Sequence, residues 1–221
     1  RPSQAVKEGE IYRWEVAEVQ PTVLTPEDIP LDILYEDDFL LIVNKAAGMV
    51  VHPAPGHYSG TLVHAVLFHC GEELLEKGIG DVQRPGIVHR LDGETSGVMV
   101  VAKEQKTHQS LVEQFAAHST HREYRLLVRG NVLWSQKRVE TCIGRHPQQR
   151  KKMAVCAEGV GKNSITDFEV LERFGGYATL LAARLETGRT HQVRVHAEHL
   201  GHPSIGASLS ETGRASGRGG G

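Results

Sequence analysis

Ile87-Val88-His89-Arg90-Leu91-Asp92-Gly93-Glu94-Thr95-Ser96-Gly97-Val98-Met99-Val100-Val101-Ala102-Lys103 is the stretch on which the reading of this chain turns. Two apolar residues lead into a short polar run that ends at Asp92. Gly93 to Gly97 then turns the chain, and Val98 to Ala102 has the unbroken apolar character of a buried strand. Polar groups held between two apolar runs stand on rigid supports, as a chemical site requires. Asp92 alone is ambiguous, because a carboxylate here can instead satisfy the amides of its own turn. Arg90, Tyr124 and Arg194 alter the balance by offering charge partners and an aromatic surface. A neighbouring guanidinium favours the ionised carboxylate whereas burial opposes it, and a nucleophilic aspartate needs the first influence to prevail.

Upstream, Phe39-Leu40-Leu41-Ile42-Val43 is a continuous apolar run that predicts a strand covered on both faces, ended by Asn44, Lys45 and Gly48. Met49-Val50-Val51 is shorter and stops at His52, where His52-Pro53-Ala54-Pro55-Gly56 must form a turn-rich loop. Thr61 is placed to cap a helix with Leu62, Val63, Val66 and Leu67 on a narrow packing stripe. Downstream, Thr107 is expected to cap a helix running through Phe115, and Tyr124, Leu126 and Val128 alternate as in a strand. Further strands are expected at 166–171 and 178–185. Thr190 is the expected cap of a last helix that packs through Val193, Ala197 and Leu200 and turns His191, Arg194 and Glu198 elsewhere.

The two ends differ in character from this middle. Residues 1–32 combine an alternating stretch, Tyr12, Trp14 and Val16, with Pro21, Pro26 and Pro30. They read as the last strand of a preceding module and an extended linker, with a boundary near Pro30. A chain that starts at Arg1 reads as cut from something longer. Residues 207–221, dominated by Gly, Ser and Arg from Gly213 on, are expected to be disordered.

The 221 residues carry 25 Lys and Arg against 27 Asp and Glu, a net charge of -2, which excludes a uniformly basic nucleic-acid binder. Distribution matters more than the sum: Arg145, Arg150, Lys151 and Lys152 lie close together while Glu36, Asp37 and Asp38 cluster elsewhere, so one basic face is possible. The length suffices to bury roughly 70% of the unfolded surface, enough for a sizeable core. No apolar run is long enough to span a membrane. Cys70, Cys142 and Cys156 fit no disulfide framework and suggest buried thiols in a reducing cytosol. His196, His199 and His202 at three-residue steps raise a metal-dependent hydrolase as a rival, but the i,i+4 histidine pair of HExxH is absent.

The stretch from His89 to Lys103 resembles the central motif of the RluA/RluD family of large-subunit ribosomal RNA pseudouridine synthases. Val43-Asn44-Lys45-Ala46-Ala47-Gly48-Met49-Val50-Val51-His52-Pro53 resembles that family's first block, with Ala46 where a proline is usual. Arg122-Glu123-Tyr124 resembles the block with the active-site tyrosine. Gly144-Arg145-His146-Pro147 and Arg150-Lys151-Lys152-Met153-Ala154-Val155 resemble its basic hairpin. Leu185-Glu186-Thr187-Gly188-Arg189-Thr190-His191-Gln192-Val193-Arg194-Val195-His196 is similar to its last signature. The likeness runs from Ile33 to Gly206, then departs: Ala207 stands where an Asp is usual, and the family's later strands and helices have no counterpart.

The resemblance implies an α+β catalytic domain over 33–206, C-terminally incomplete, with a mixed, largely antiparallel sheet, flanking helices and a cleft holding Asp92. Residues 1–32 would be the end of a small RNA-binding domain plus linker. The implied reaction is isomerisation of specific uridines to pseudouridine in structured RNA, most simply ribosomal, with no organic cofactor and no metal. Asp92 would be the essential carboxylate, Tyr124 would stack on the base and assist the closing proton removal, and Arg194 would pair with Asp92. The target must be flipped from its stack, and Arg90 could brace the space it leaves. Arg145, Arg150, Lys151, Lys152, Arg189, His191 and Gln192 would contact RNA. A cytoplasmic location, no membrane and no obligate protein partner follow, and a chain shortened at both ends is expected to be less stable and to bind RNA less tightly. An RNA-binding protein that has lost catalysis would carry the same motifs.

Overall fold

The computed structural model describes residues 24–206, apart from 55, 72, 150 and 151. The alternating stretch at 12–16, the tail at 207–221, and Arg150 and Lys151 of the basic cluster lie outside the described residues. In chain order the elements are β1 (Ile33–Glu36), β2 (Leu40–Lys45), α1 (Leu62–Cys70), α2 (Glu73–Glu76), β3 (Gly80–Asp81), β4 (Arg84–Pro85) and β5 (Gly97–Ala102). They continue with α3 (Gln105–Ala116), β6 (Glu123–Arg129), β7 (Gln136–Arg145), β8 (Met153–Cys156), β9 (Lys162–Phe174), β10 (Ala178–Leu185) and α4 (Gln192–His199). The fold is α+β. One sheet has the order β1-β2-β5 and a larger one β6-β10-β9-β7-β8, while β3 and β4 form a small ribbon. Every ladder among the described residues is antiparallel.

Each sheet backs its own core. Leu41, Val43, Met99 and Val101 project from β2 and β5 onto Leu62, Val66 and Leu67 of α1. Val128, Phe168, Leu181 and Ala183 form the second cluster with Ala197 of α4. Tyr124 packs against both, at the seam between them.

The continuous apolar run at 39–43 is not covered on both faces. In β2 burial alternates: Leu41, Val43 and Lys45 point inward, Asn44 is exposed and Phe39 is 53% exposed. Conversely, α1 buries more than a stripe, because the six residues Leu62 to Leu67 are all buried. Thr61 stands at its N-cap as expected; its N–H donates to His64 Nδ1 at 3.3 Å and its hydroxyl lies 2.7 Å from the same nitrogen. The cap of α3 is Glu104 and not Thr107, whose hydroxyl instead donates to the Glu104 carboxylate at 2.8 Å. Residues 24–32 form no helix or strand, but they dock: Leu24 is buried in the first core and the Gly60 N–H donates to the Glu27 carboxylate. The three cysteines are half-buried free thiols, with Cys142 and Cys156 opposite each other across β7 and β8.

Candidate active site

Asp92 is held by a strap of backbone laid against β5. The strap begins at Gly86, whose carbonyl accepts the Ala102 N–H at 2.9 Å. A side chain would not fit there: φ is +71° and a Cβ would lie 2.4 Å from the Ala102 oxygen. Ile87 bridges to Val101, and the Val100 N–H donates to His89 Nε2 at 3.1 Å. The His89 ring stacks on Phe115 of α3 with centroids 4.7 Å apart. Burial, then the charge of Arg122, push its pKa down to about 4, so His89 is a neutral strut. Leu91 follows, buried in the first core.

Beyond Leu91 the turn is closed by backbone, the Thr95 N–H donating to the Asp92 carbonyl at 3.0 Å. The carboxylate is therefore not spent on its own turn. Its Oδ2 accepts from Arg194 Nη2, and His191 Nε2 lies 3.5 Å from Oδ1. The pair is sheltered, with the Asp92 side chain 20% and the Arg194 side chain 11% exposed. Beneath the turn, Lys45 is 1% exposed, and its ammonium donates to the carbonyls of Ala46, Met49 and Gly93 at 2.8, 2.7 and 3.1 Å. All three donors are thus used. Burial lowers the Lys45 pKa, and the charges of Asp92 and Glu94 oppose that shift.

Arg194 reaches Asp92 because polar hooks dock α4 by its other side. His196 lies 3.0 Å from Thr141 of β7 and 2.9 Å from Thr166 of β9 through its two ring nitrogens. The Gln192 amide donates to Ile165 O at 2.9 Å and Thr166 Oγ1 at 3.0 Å. The residue that caps α4 is His191, not Thr190, and it adopts left-handed backbone with φ 56°. Tyr124 comes from β6, opposite Ala183 of β10. Burial raises its pKa, Arg122 opposes this, and the charge of Asp92 adds to it.

Asp92, Arg194, His191, Tyr124 and His89 line one cleft of about 540 Å³, within the range of roughly 300–1,000 Å³ that encloses a small-molecule-sized group. Five arginines line it, Arg90, Arg122, Arg125, Arg189 and Arg194, against the carboxylates of Asp92 and Glu94. A chain of net charge -2 thus has a cationic cleft. Among the described residues the only non-glycine positive φ angles are at His118 and His191, and both line this cleft. Backbone held in that region costs free energy and gathers where the surrounding structure fixes it for function.

The family model for RNA pseudouridylate synthase matches residues 39–199, the span that contains Asp92, Tyr124 and Arg194. The chain belongs to the RNA pseudouridylate synthase family. It is 46% identical over 207 residues to an uncharacterized RNA pseudouridine synthase of Aquifex aeolicus, which covers 93% of this chain and 64% of the relative. It is 46% identical over 205 residues to the ribosomal large subunit pseudouridine synthase D of Zymomonas mobilis, 93% of this chain and 63% of that one. The chain thus spans under two thirds of the length of either relative. Among solved structures, human RNA pseudouridylate synthase domain containing 1 superposes with a TM-score of 0.65 at 26% identity, covering 89% of this chain and 74% of that one.

The remaining expected site residues of this pseudouridylate synthase fold are spread unevenly. Arg90 is exposed in the cleft lining, and Arg189 lines it while its Nε–H donates to Asn163 O at 3.0 Å. Arg145 and Lys152 belong to the β7–β8 hairpin outside the lining; the charge of Arg145 nevertheless reaches His191. Gln192 was expected to contact RNA, but it is 2% exposed and its amide oxygen accepts from Thr187 Oγ1 and the Arg189 N–H. With both ends of its amide engaged, Gln192 is a positioning residue. The histidines of the metal reading point apart: His196 is held by threonines, and His202 Nδ1 donates to Arg129 O at 3.1 Å. No three His, Cys, Asp or Glu side chains converge among the described residues in a way that could hold a metal. Sequence reasoning overlooked Lys45, His89 and Arg122.

Proposed function

We propose that this chain isomerises uridine to pseudouridine in structured RNA, with large-subunit ribosomal RNA as the substrate class. The carrying observation is the Asp92 carboxylate held by Arg194 inside an arginine-rich cleft that also contains Tyr124. The uridine is flipped out, with Arg90 at the mouth bracing the stack it leaves. Asp92 attacks the anomeric carbon or the base, the glycosidic bond breaks, and the base rotates and rejoins through carbon. Tyr124 stacks on the base and assists removal of the proton that this carbon still carries. Arg194 pairs with Asp92 and orients it, while Arg189, His191, Arg145 and the rest of the basic hairpin meet the RNA backbone. The relative named ribosomal large subunit pseudouridine synthase D supports the ribosomal substrate.

A cytoplasmic location follows from that substrate; no helix among the described residues is long and apolar enough to cross a membrane. Residues 1–32 would end a preceding RNA-binding module. Mapping pseudouridines in ribosomal RNA from cells with and without the protein tests the reading. Loss of one or a few large-subunit sites is expected, and an unchanged map would refute the ribosomal assignment.

A further inference from the structure

Arg122 lies two residues before Tyr124 and faces the same cleft, yet nothing in the reaction outlined above uses it. Its guanidinium is only partly paired. Nη2 lies 3.3 Å from His118 Nδ1, Nε is buried without a hydrogen-bond partner, and no carboxylate forms an ion pair with it among the described residues. A half-buried cation of this kind is costly unless an anion completes it.

The surroundings are shaped to keep it there. A Cβ at position 188 would lie 2.5 Å from Nη1, so the glycine of the 185–196 signature leaves the space the guanidinium occupies. His118 holds left-handed backbone, φ 54°, at the place where its ring meets Nη2. The charge is felt at both neighbouring rings, His89 and Tyr124.

We propose that Arg122 is a substrate-binding residue that takes a phosphodiester oxygen of the RNA beside the flipped nucleotide. This rests on the isomerase reading for the identity of the ligand. A planar guanidinium suits a phosphate, to which it can offer two parallel N–H donors. Arg194 cannot serve in this way because its charge is engaged by Asp92.

The test compares the unaltered chain with Arg122→Gln, Arg122→Lys and Gly188→Ala, on transcribed large-subunit ribosomal RNA carrying 5-tritiated uridine. Gly188→Ala keeps the total charge but crowds Nη1 at the flexible end of the Arg122 side chain, which must shift, and Arg122→Lys keeps the charge without the planar fork, so the two score the proposal even if Arg122→Gln folds poorly. For Arg122→Gln, KM is expected to rise roughly ten- to hundredfold with kcat within about threefold. The slope of log affinity against log salt should become shallower by about 0.7–0.9. Gly188→Ala should raise KM in the same direction, and Arg122→Lys should restore most of the slope. Unchanged affinity and slope in Arg122→Gln would overturn the proposal. So would a fall in kcat alone, which would place Arg122 in control of Tyr124. Absence of tritium release from the unaltered chain counts against the isomerase reading only, because the salt slope of RNA binding still scores Arg122.

Discussion

Lys45 and Asp92 meet through one carbonyl, that of Gly93, which accepts from the Lys45 ammonium and from the Gly48 N–H. Lys45→Met removes a charged donor from three carbonyls and leaves that of Met49 with none, and equilibrium urea unfolding should show a loss of about 2 kcal/mol. Tyr124→Phe keeps the ring but removes the hydroxyl. If the phenol assists proton removal, kcat should fall by about a hundredfold or more while KM stays within a few-fold; an equal loss in KM would point to binding instead. The pairing of Asp92 with Arg194 was legible through the resemblance of their two motifs to the family's, and the structure brings the two side chains together. Lys45 was legible in principle, since it follows Leu41 and Val43 at period two on the buried face, but a lysine signals solvent before it signals a core. Gln192 entered through the resemblance of its motif, and polarity alone does not reveal that its amide holds a helix to a sheet.

Among the elements, β6 and β10 could be read directly because their inward faces are apolar at period two, and β10 has the expected bounds, Ala178–Leu185. The start of β9 and all of β7 were hidden. Their inward faces carry Ser164, Thr166 and Thr141, polar residues whose partners lie within the fold: Ser164 Oγ donates to Lys162 O, and both threonines meet His196. Val139 and Ile143 flank Thr141 on the buried face of β7 and Phe168 follows Thr166 on that of β9, so the polar positions interrupt a period-two apolar pattern and mask it. The same hooks give α4 a pH dependence. The His196 pKa is depressed to about 4, chiefly by burial, whereas an unfolded histidine titrates near 6.5. Between those values the unfolded chain binds more protons, so stability falls as pH drops through this window, by about 3 kcal/mol at pH 4. Urea unfolding from pH 7 to pH 4 should show this loss, and His196→Gln should remove the His196 share and leave that of His89, whose pKa is also pushed down to about 4.

At the scale of the whole molecule, charge is separated rather than abundant: acids outnumber bases overall, yet the cleft holds five arginines against two carboxylates. RNA affinity should therefore fall roughly ten- to hundredfold between about 50 and 200 mM salt, as measured by filter binding. Affinity indifferent to salt would argue that the cleft does not meet the phosphate backbone. Composition alone could not reveal this, because the arginines come from the Asp92 strap, β6 and the residue before it, and α4 and its entry, which only the fold brings together. The central claim is that the Asp92 carboxylate performs the chemistry, and tritium release from RNA labelled at uridine C5 tests it most directly. The unaltered chain should release tritium with turnover. Asp92→Asn should bind the same RNA and release none; release at an undiminished rate from Asp92→Asn would contradict the account.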